Sequence, residues 1–313
     1  MNEAPSNPPT NRLKAGVTDH LVTDAVTRSG YPLQLRVATQ LMPMFSVVEE
    51  WAYIDRDAQR ARSLDVWAYL SLATDLESPY HPELTLLIEC KRSDLPFVFF
   101  AAARPILSDE YPSLVGFRHT GFEIQVGQAV REVTPSTFLA LKEFPFVSAG
   151  PPISRAFAKA DRSGKDLNIS GEVPFRAVLL PLASALHHWA DMRKVEGDRQ
   201  RYFPSLTLML CVLDAPMVLV RGAPEAPDLV LQPWVRVVRQ ETSRERAWLS
   251  YRHYVVDFVH IDYLATFLSH HLLPFAWLVS SRIQEARPYL AAARWVVPDW
   301  ERWTWADVRP KRV

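Results

Sequence analysis

Apolar residues recur along the chain in two periods, one helical and one extended. Leu33, Val37, Leu41 and Met44 follow a helical spacing, with Gln34, Arg36 and Gln40 on the other faces and Pro32 at the first helical position. They predict an amphipathic helix of about three turns. Residues 45–54 then read as a strand, with Glu49 and Glu50 on opposite faces, either exposed at a sheet edge or with one of them directed at a metal. In residues 62–70 the alternation puts Asp65, Trp67 and Tyr69 on one face and Leu64, Val66, Ala68 and Leu70 on the other. Residues 84–91 form a continuous apolar run ending in Glu89-Cys90-Lys91, bounded by His81-Pro82 and Pro96. Such a run predicts a buried strand inside a sheet, with Ile88 and Cys90 facing the core.

The rest of the chain is less regular. Residues 1–28 are polar and predict a flexible arm. Residues 103–171 carry several prolines and read as an insertion. Within it, 116–130 suggests short strands and 135–141 the start of a helix. Residues 152–165, with Arg155, Lys159, Arg162 and Lys165 against Asp161, read as a solvated basic helix face, with a nucleic-acid-facing insertion as the alternative. Ser163-Gly164-Lys165 lacks the upstream glycine of a phosphate loop. Residues 173–192 predict a second amphipathic helix; 205–214, 216–221, 234–239 and 251–260 predict strands, the first of them central. Residues 264–286 read as a helical stretch interrupted at Pro274, followed by a tryptophan-rich tail over 295–303. The expected fold class is α/β, a mixed central sheet flanked by helices. Residues 29–260 would form the main domain and 261–313 a helical, Trp-rich C-terminal extension. Its tail would dock on its own domain or on a second subunit.

Composition narrows the function classes. The chain has 313 residues, 48% hydrophobic and 22% charged, enough for a core of ordinary size. Lys+Arg and Asp+Glu are both 35, so the formal charge is zero; this argues against a general nucleic-acid coat but leaves room for a local basic groove. The two cysteines, Cys90 and Cys211, both sit in apolar runs and offer neither zinc spacing nor a disulfide framework. His187 and His188 have no partner at metal spacing, and His260-Ile261-Asp262 reads as a strand end. The polar N-terminus lacks the apolar core of a signal peptide, and no apolar stretch is long enough to span a bilayer. The expectation is a cytoplasmic protein with no membrane partner.

The candidate chemistry lies at the end of the apolar run. Glu89 and Lys91 share a face, and burying charge is costly unless it is used. The polar, proline-rich residues 74–83 read as a hairpin connection, so an antiparallel hairpin would bring Asp65 beside Glu89. Two carboxylates and a lysine at neighbouring strand positions suit Mg²⁺, which prefers oxygen ligands and keeps several waters. The competing explanation is a surface hairpin with an ordinary cross-strand ion pair.

Asp65 followed by Glu89-Cys90-Lys91 resembles the D…(D/E)xK signature of the PD-(D/E)xK nuclease superfamily, which includes restriction endonuclease-like and Holliday-junction-resolvase-like enzymes. The resemblance covers residues 31–93, with weaker echoes to about residue 220. It implies a restriction-endonuclease-like sheet and Mg²⁺- or Mn²⁺-dependent endonucleolytic cleavage, with DNA as the substrate and RNA left open. Asp65 and Glu89 would hold the metal, with the backbone carbonyl of Cys90 as a further ligand, and Lys91 would act on the attacking water or the developing charge. Gln34, Arg62 and Ser93 become candidate substrate or phosphate contacts. Gln34 stands where resolvase-like members carry a glutamate, and is either a contact of this kind or a solvated helix residue. By analogy with symmetric duplex-cutting nucleases, a homodimer is expected. The alternative is a catalytically inactive member of the fold that binds nucleic acid or protein.

Overall fold

The computed structural model describes residues 6–56, 58–102, 111–119, 121–126, 128–195, 201–223, 225–242 and 251–297. Its elements begin with helices α1 (Asp19–Arg28) and α2 (Tyr31–Leu41), then strands β1 (Ser46–Asp55), β2 (Arg60–Ser71), β3 (Glu83–Arg92) and β4 (Phe97–Ala101). Next come β5 (Ser113–Val115), β6 (Phe122–Val126), β7 (Ala129–Val133), β8 (Ile153–Ser163), β9 (Asp166–Ser170) and helix α3 (Leu180–Met192). The chain continues through β10 (Ser205–Asp214), β11 (Met217–Ala223), β12 (Ala226–Leu231), β13 (Trp234–Thr242) and β14 (Tyr251–His260). Helix α4 (Leu273–Glu285) and β15 (Arg294–Val297) follow.

A mixed 12-stranded sheet runs β1-β2-β3-β10-β14-β13-β8-β4-β11-β12, with β5 also on β10 and β9 on β8; β15, β6 and β7 form a second, three-stranded sheet. β2 is antiparallel to β1 and β3, while β3 and β10 run parallel in register from Glu83↔Ser205 to Arg92↔Asp214. Beyond the ends of β3 and β10 the two segments stay joined, through Ser93 N–H to the Asp214 carbonyl at 3.1 Å and Phe97 N–H to the Pro216 carbonyl at 2.9 Å. β3 therefore lies inside the sheet, as its apolar run predicts, and Ile88 and Cys90 are buried.

Alternation along β3 and β10 divides the core in two. Leu84, Leu86, Ile88, Leu206, Leu208 and Leu210 face one side, where Leu33, Val37 and Leu41 of α2 and Phe275, Val279 and Ile283 of α4 pack. Leu87, Met209 and Cys211 face the other, under Leu182 and Ala185 of α3. Each fully buried aliphatic side chain contributes about 1.5–3 kcal/mol. The C-terminal helices thus complete the same core as α2. Pro274 does not interrupt them: residues Phe267–Leu272 form a wide π turn leading into α4. Such a turn makes room for a ring without an N–H. Phe175–Leu179 does the same before Pro181 of α3.

Other expectations are corrected too. Residues 19–28 of the expected arm form α1, capped by Thr18, whose hydroxyl accepts the Leu21 N–H. Residues 153–163 are strand β8, paired with β4 and β9, not a helix face. Gly164, at φ +61°, makes the two-residue turn between β8 and β9, a conformation open to glycine at no steric cost. Leu64 packs with Tyr53 and Leu87, on the side opposite Val66 and Ala68. The expected insertion supplies β8 and β9 to the main sheet and β6 and β7 to the small one. The tryptophan-rich tail beyond residue 297 lies outside the described residues.

Candidate functional site

The reversal of faces at Leu64 marks the site. The β1–β2 ladder passes from Glu49↔Val66 to Trp51↔Leu64, skipping Glu50 and Asp65, and Glu50 sits at φ +50°. The β2–β3 ladder stops at Val66↔Ile88. Beyond that point β2 leaves β3, and the Asp65 side chain takes the place of the missing ladder acceptor: the Cys90 N–H donates to Asp65 Oδ2 at 2.6 Å. A backbone donor thus orients the carboxylate.

Lys91 Nζ donates to Glu89 Oε2 at 2.5 Å and lies 3.8 Å from Asp65 Oδ2. The three sequence-predicted groups therefore converge, with the Glu89 side chain 5% exposed and those of Asp65 and Lys91 26% and 29%. Burial pushes the Glu89 carboxyl up to about 7; Lys91 pulls it down, and the charge and hydrogen bond of Asp65 push it up again. For Lys91, burial alone would lower the pKa, but Glu89 and Asp65 more than offset it and hold the ammonium above its ordinary value. A lone lysine bridges two carboxylates, one of them buried at a cost that a stronger cation would relieve.

A cleft of about 440 Å³ opens on this cluster, lined by Arg28, Gln34, Glu50 and Arg92 as well as Asp65 and Lys91. Gln34 is 5% exposed and stands in the cleft wall, so it is not a solvated helix residue. Arg62 is outside this lining and pairs with Asp55 at 2.6 Å. Ser93 is a turn residue whose Oγ accepts the Leu95 N–H at 3.1 Å. Of the two readings open for Glu49 and Glu50, the structure puts Glu50 in the cleft lining, on a left-handed backbone. Glycine-free sequence gives no warning of such a conformation. Arg28 was missed because it ends α1, which buries no residue and so leaves no apolar pattern; Arg92 ends β3 beside Lys91. His187 hydrogen-bonds Tyr254, and His260 accepts the Asp262 N–H; both are structural.

Among the described residues, no three His, Cys, Asp or Glu side chains form a group that could hold a metal. The donor set brought together here is the two carboxylates of Asp65 and Glu89. It fits a hard divalent cation that keeps most of its waters, and it does not fit zinc. No protein-family model matches the chain, and no curated protein or solved structure matches it either. No helix among the described residues is long and apolar enough to cross a membrane.

Proposed function

We propose that the protein is a Mg²⁺- or Mn²⁺-dependent nuclease of the PD-(D/E)xK type, hydrolysing phosphodiester bonds of DNA. The observation that carries this reading is the convergence of Asp65, Glu89 and Lys91 where β2 parts from β3, at the mouth of a cleft that also presents Arg28 and Arg92. Helix α2, strand β1, the Asp-bearing β2 and the ExK-bearing β3 follow one another as the resemblance implies, while α3 and the parallel strand β10 come only after strands β4–β9. Asp65 and Glu89 would hold the cation, with the Cys90 carbonyl as a further ligand. A bound cation of this kind polarises the phosphate and lowers the pKa of water. Lys91 then orients the attacking water and stabilises charge developing on the phosphate. Water oxygen bonds to phosphorus, the bond to the 3′-oxygen breaks, and the products are a 5′-phosphate and a 3′-hydroxyl. Arg28 and Arg92 attract the phosphate backbone.

Among the described residues no third His, Cys, Asp or Glu side chain joins the two carboxylates, and Lys91 is seated on Glu89; both favour a second reading, a non-catalytic module that binds nucleic acid or protein. Cleavage assays with Mg²⁺ and Mn²⁺ on linear, nicked, branched and single-stranded DNA, and on RNA, separate the two. Asp65→Ala, Glu89→Ala and Lys91→Ala should each abolish cleavage. DNA binding should survive all three, because phosphate contacts are spread over many residues. A parent protein that cuts none of these substrates, or a Lys91→Ala protein that cuts as well as the parent, overturns the catalytic reading.

A further inference from the structure

A second groove, of about 580 Å³, lies between the segment following β5 and the C-terminal end of α3. Four permanent cations line it, Arg56, Arg118, Arg193 and Lys194, against one carboxylate, Asp191. Arg56 pairs with that carboxylate at 3.4 Å on the rim. Arg193 is the anchor. Its guanidinium lies 4.8 Å from the Trp189 ring centre and 5.8 Å from that of Phe203. Its Nη2 pairs with the buried Glu83. Its Nε is buried and has no hydrogen-bond partner among the described residues, and the same holds for His119 Nε2 at the opposite wall. Burial lowers the pKa of Arg193, and Tyr69 offsets part of that shift. An arginine held between two rings keeps its planar guanidinium in one orientation, which suits an oxyanion.

The remaining lining is apolar, from Leu114, Phe117 and Val195. Gly116 shapes it: at φ +82° the backbone lies so close to the Phe203 carbonyl that a Cβ would collide with it. The cations and the apolar side chains alternate along both walls of the groove, a mixed lining that suits a ligand joining a phosphate to an aromatic ring. Glu83 opens β3 six residues before Glu89, so this groove lies about 20 Å along the strand from the carboxylate cluster.

We propose that this groove binds a nucleotide unit, its phosphate on Arg193, Arg118 and Lys194 and its base on the apolar side chains. The unit is either a free nucleotide or one residue of a nucleic-acid strand. The inference does not rest on the catalytic reading, and its test is run in chelator, without divalent metal, so that cleavage plays no part.

The probes are AMP and ATP by calorimetry, and a short labelled single-stranded DNA by fluorescence anisotropy. Arg118 and Lys194 are exposed, so an Arg118→Glu/Lys194→Glu protein should fold. It should bind at least about tenfold more weakly than the parent, since each lost phosphate contact lowers affinity. Lys165→Glu, an exposed charge in the β8–β9 turn, should bind as the parent does. Loss of AMP and ATP binding assigns the groove to free nucleotides; loss confined to the DNA strand assigns it to a strand residue. The proposal is overturned if the parent binds none of the probes, if the double variant binds as the parent does, or if Lys165→Glu weakens binding equally.

Discussion

Glu89 concentrates the physical tension of the site. It is a buried carboxylate beside a second carboxylate, and the Lys91 ammonium does not bring its pKa back to the ordinary range. The same negative field reaches Tyr53, whose hydroxyl is buried and lacks a hydrogen-bond partner among the described residues. Burial, and after it the charge of Glu89, pushes the Tyr53 phenol up to about 12. The folded protein therefore keeps this proton where the unfolded chain, near pH 10, has lost it. The contribution is intact below about pH 10 and is lost as pH rises toward 12. Tyr53→Phe should change stability by less than about 1 kcal/mol at neutral pH, because no hydrogen bond is removed. It should also lose less stability than the parent between about pH 9 and pH 11, measured by urea unfolding at each pH. An equal loss in both proteins would place the alkaline sensitivity elsewhere.

At the scale of elements, the site is built by a defect in a hairpin. Glu50 takes a left-handed backbone, which costs a non-glycine residue on the order of 1 kcal/mol, and both strands change faces there. Glu50→Gly should stabilise the fold by about 0.5–1 kcal/mol, since the exposed side chain packs little and glycine relieves the strain. Denaturant unfolding that shows a loss of stability would mean that the hairpin is not strained at this point. This defect also sets what the sequence could reveal. β3 was legible because eight consecutive buried residues, Glu83–Cys90, leave an almost unbroken apolar run. The Asp65–Glu89 meeting was legible because hairpin pairing follows from a short polar connection. The face reversal at Leu64 was not, because alternation assumes an unbroken ladder. β8 was misread because its charges suited a helix surface; its identity as a strand comes from partners far away in sequence, β4 and β13.

For the whole molecule, a buried ion pair ties distant parts of the chain to the sheet. Arg236 of β13 is 0% exposed and grips Asp257 of β14 with Nε at 2.8 Å and Nη2 at 3.2 Å. Trp234 Nε1 donates to the same carboxylate at 2.9 Å, and Arg236 Nη1 donates to the Phe146 carbonyl at 2.9 Å. Tyr111 stacks on the guanidinium at 4.7 Å. Arg236→Met would leave Asp257 buried without its countercharge and should cost about 3–5 kcal/mol. Thermal unfolding should still follow one transition, because α2, β3, β10 and α4 share one core. A separate early transition for the C-terminal helices would contradict that shared core. Neither the ion pair nor the shared core was legible from local patterns, since both join residues distant in sequence.

The central claim is that Asp65 and Glu89 form a divalent-cation site which Lys91 bridges in the ion-free protein. Diffraction from crystals soaked in Mn²⁺, recorded at the manganese edge, tests it directly. The account predicts anomalous density between the two carboxylates, with the Lys91 ammonium moved off Glu89. Crystals with no anomalous density there, and Lys91 still hydrogen-bonded to Glu89, would contradict it.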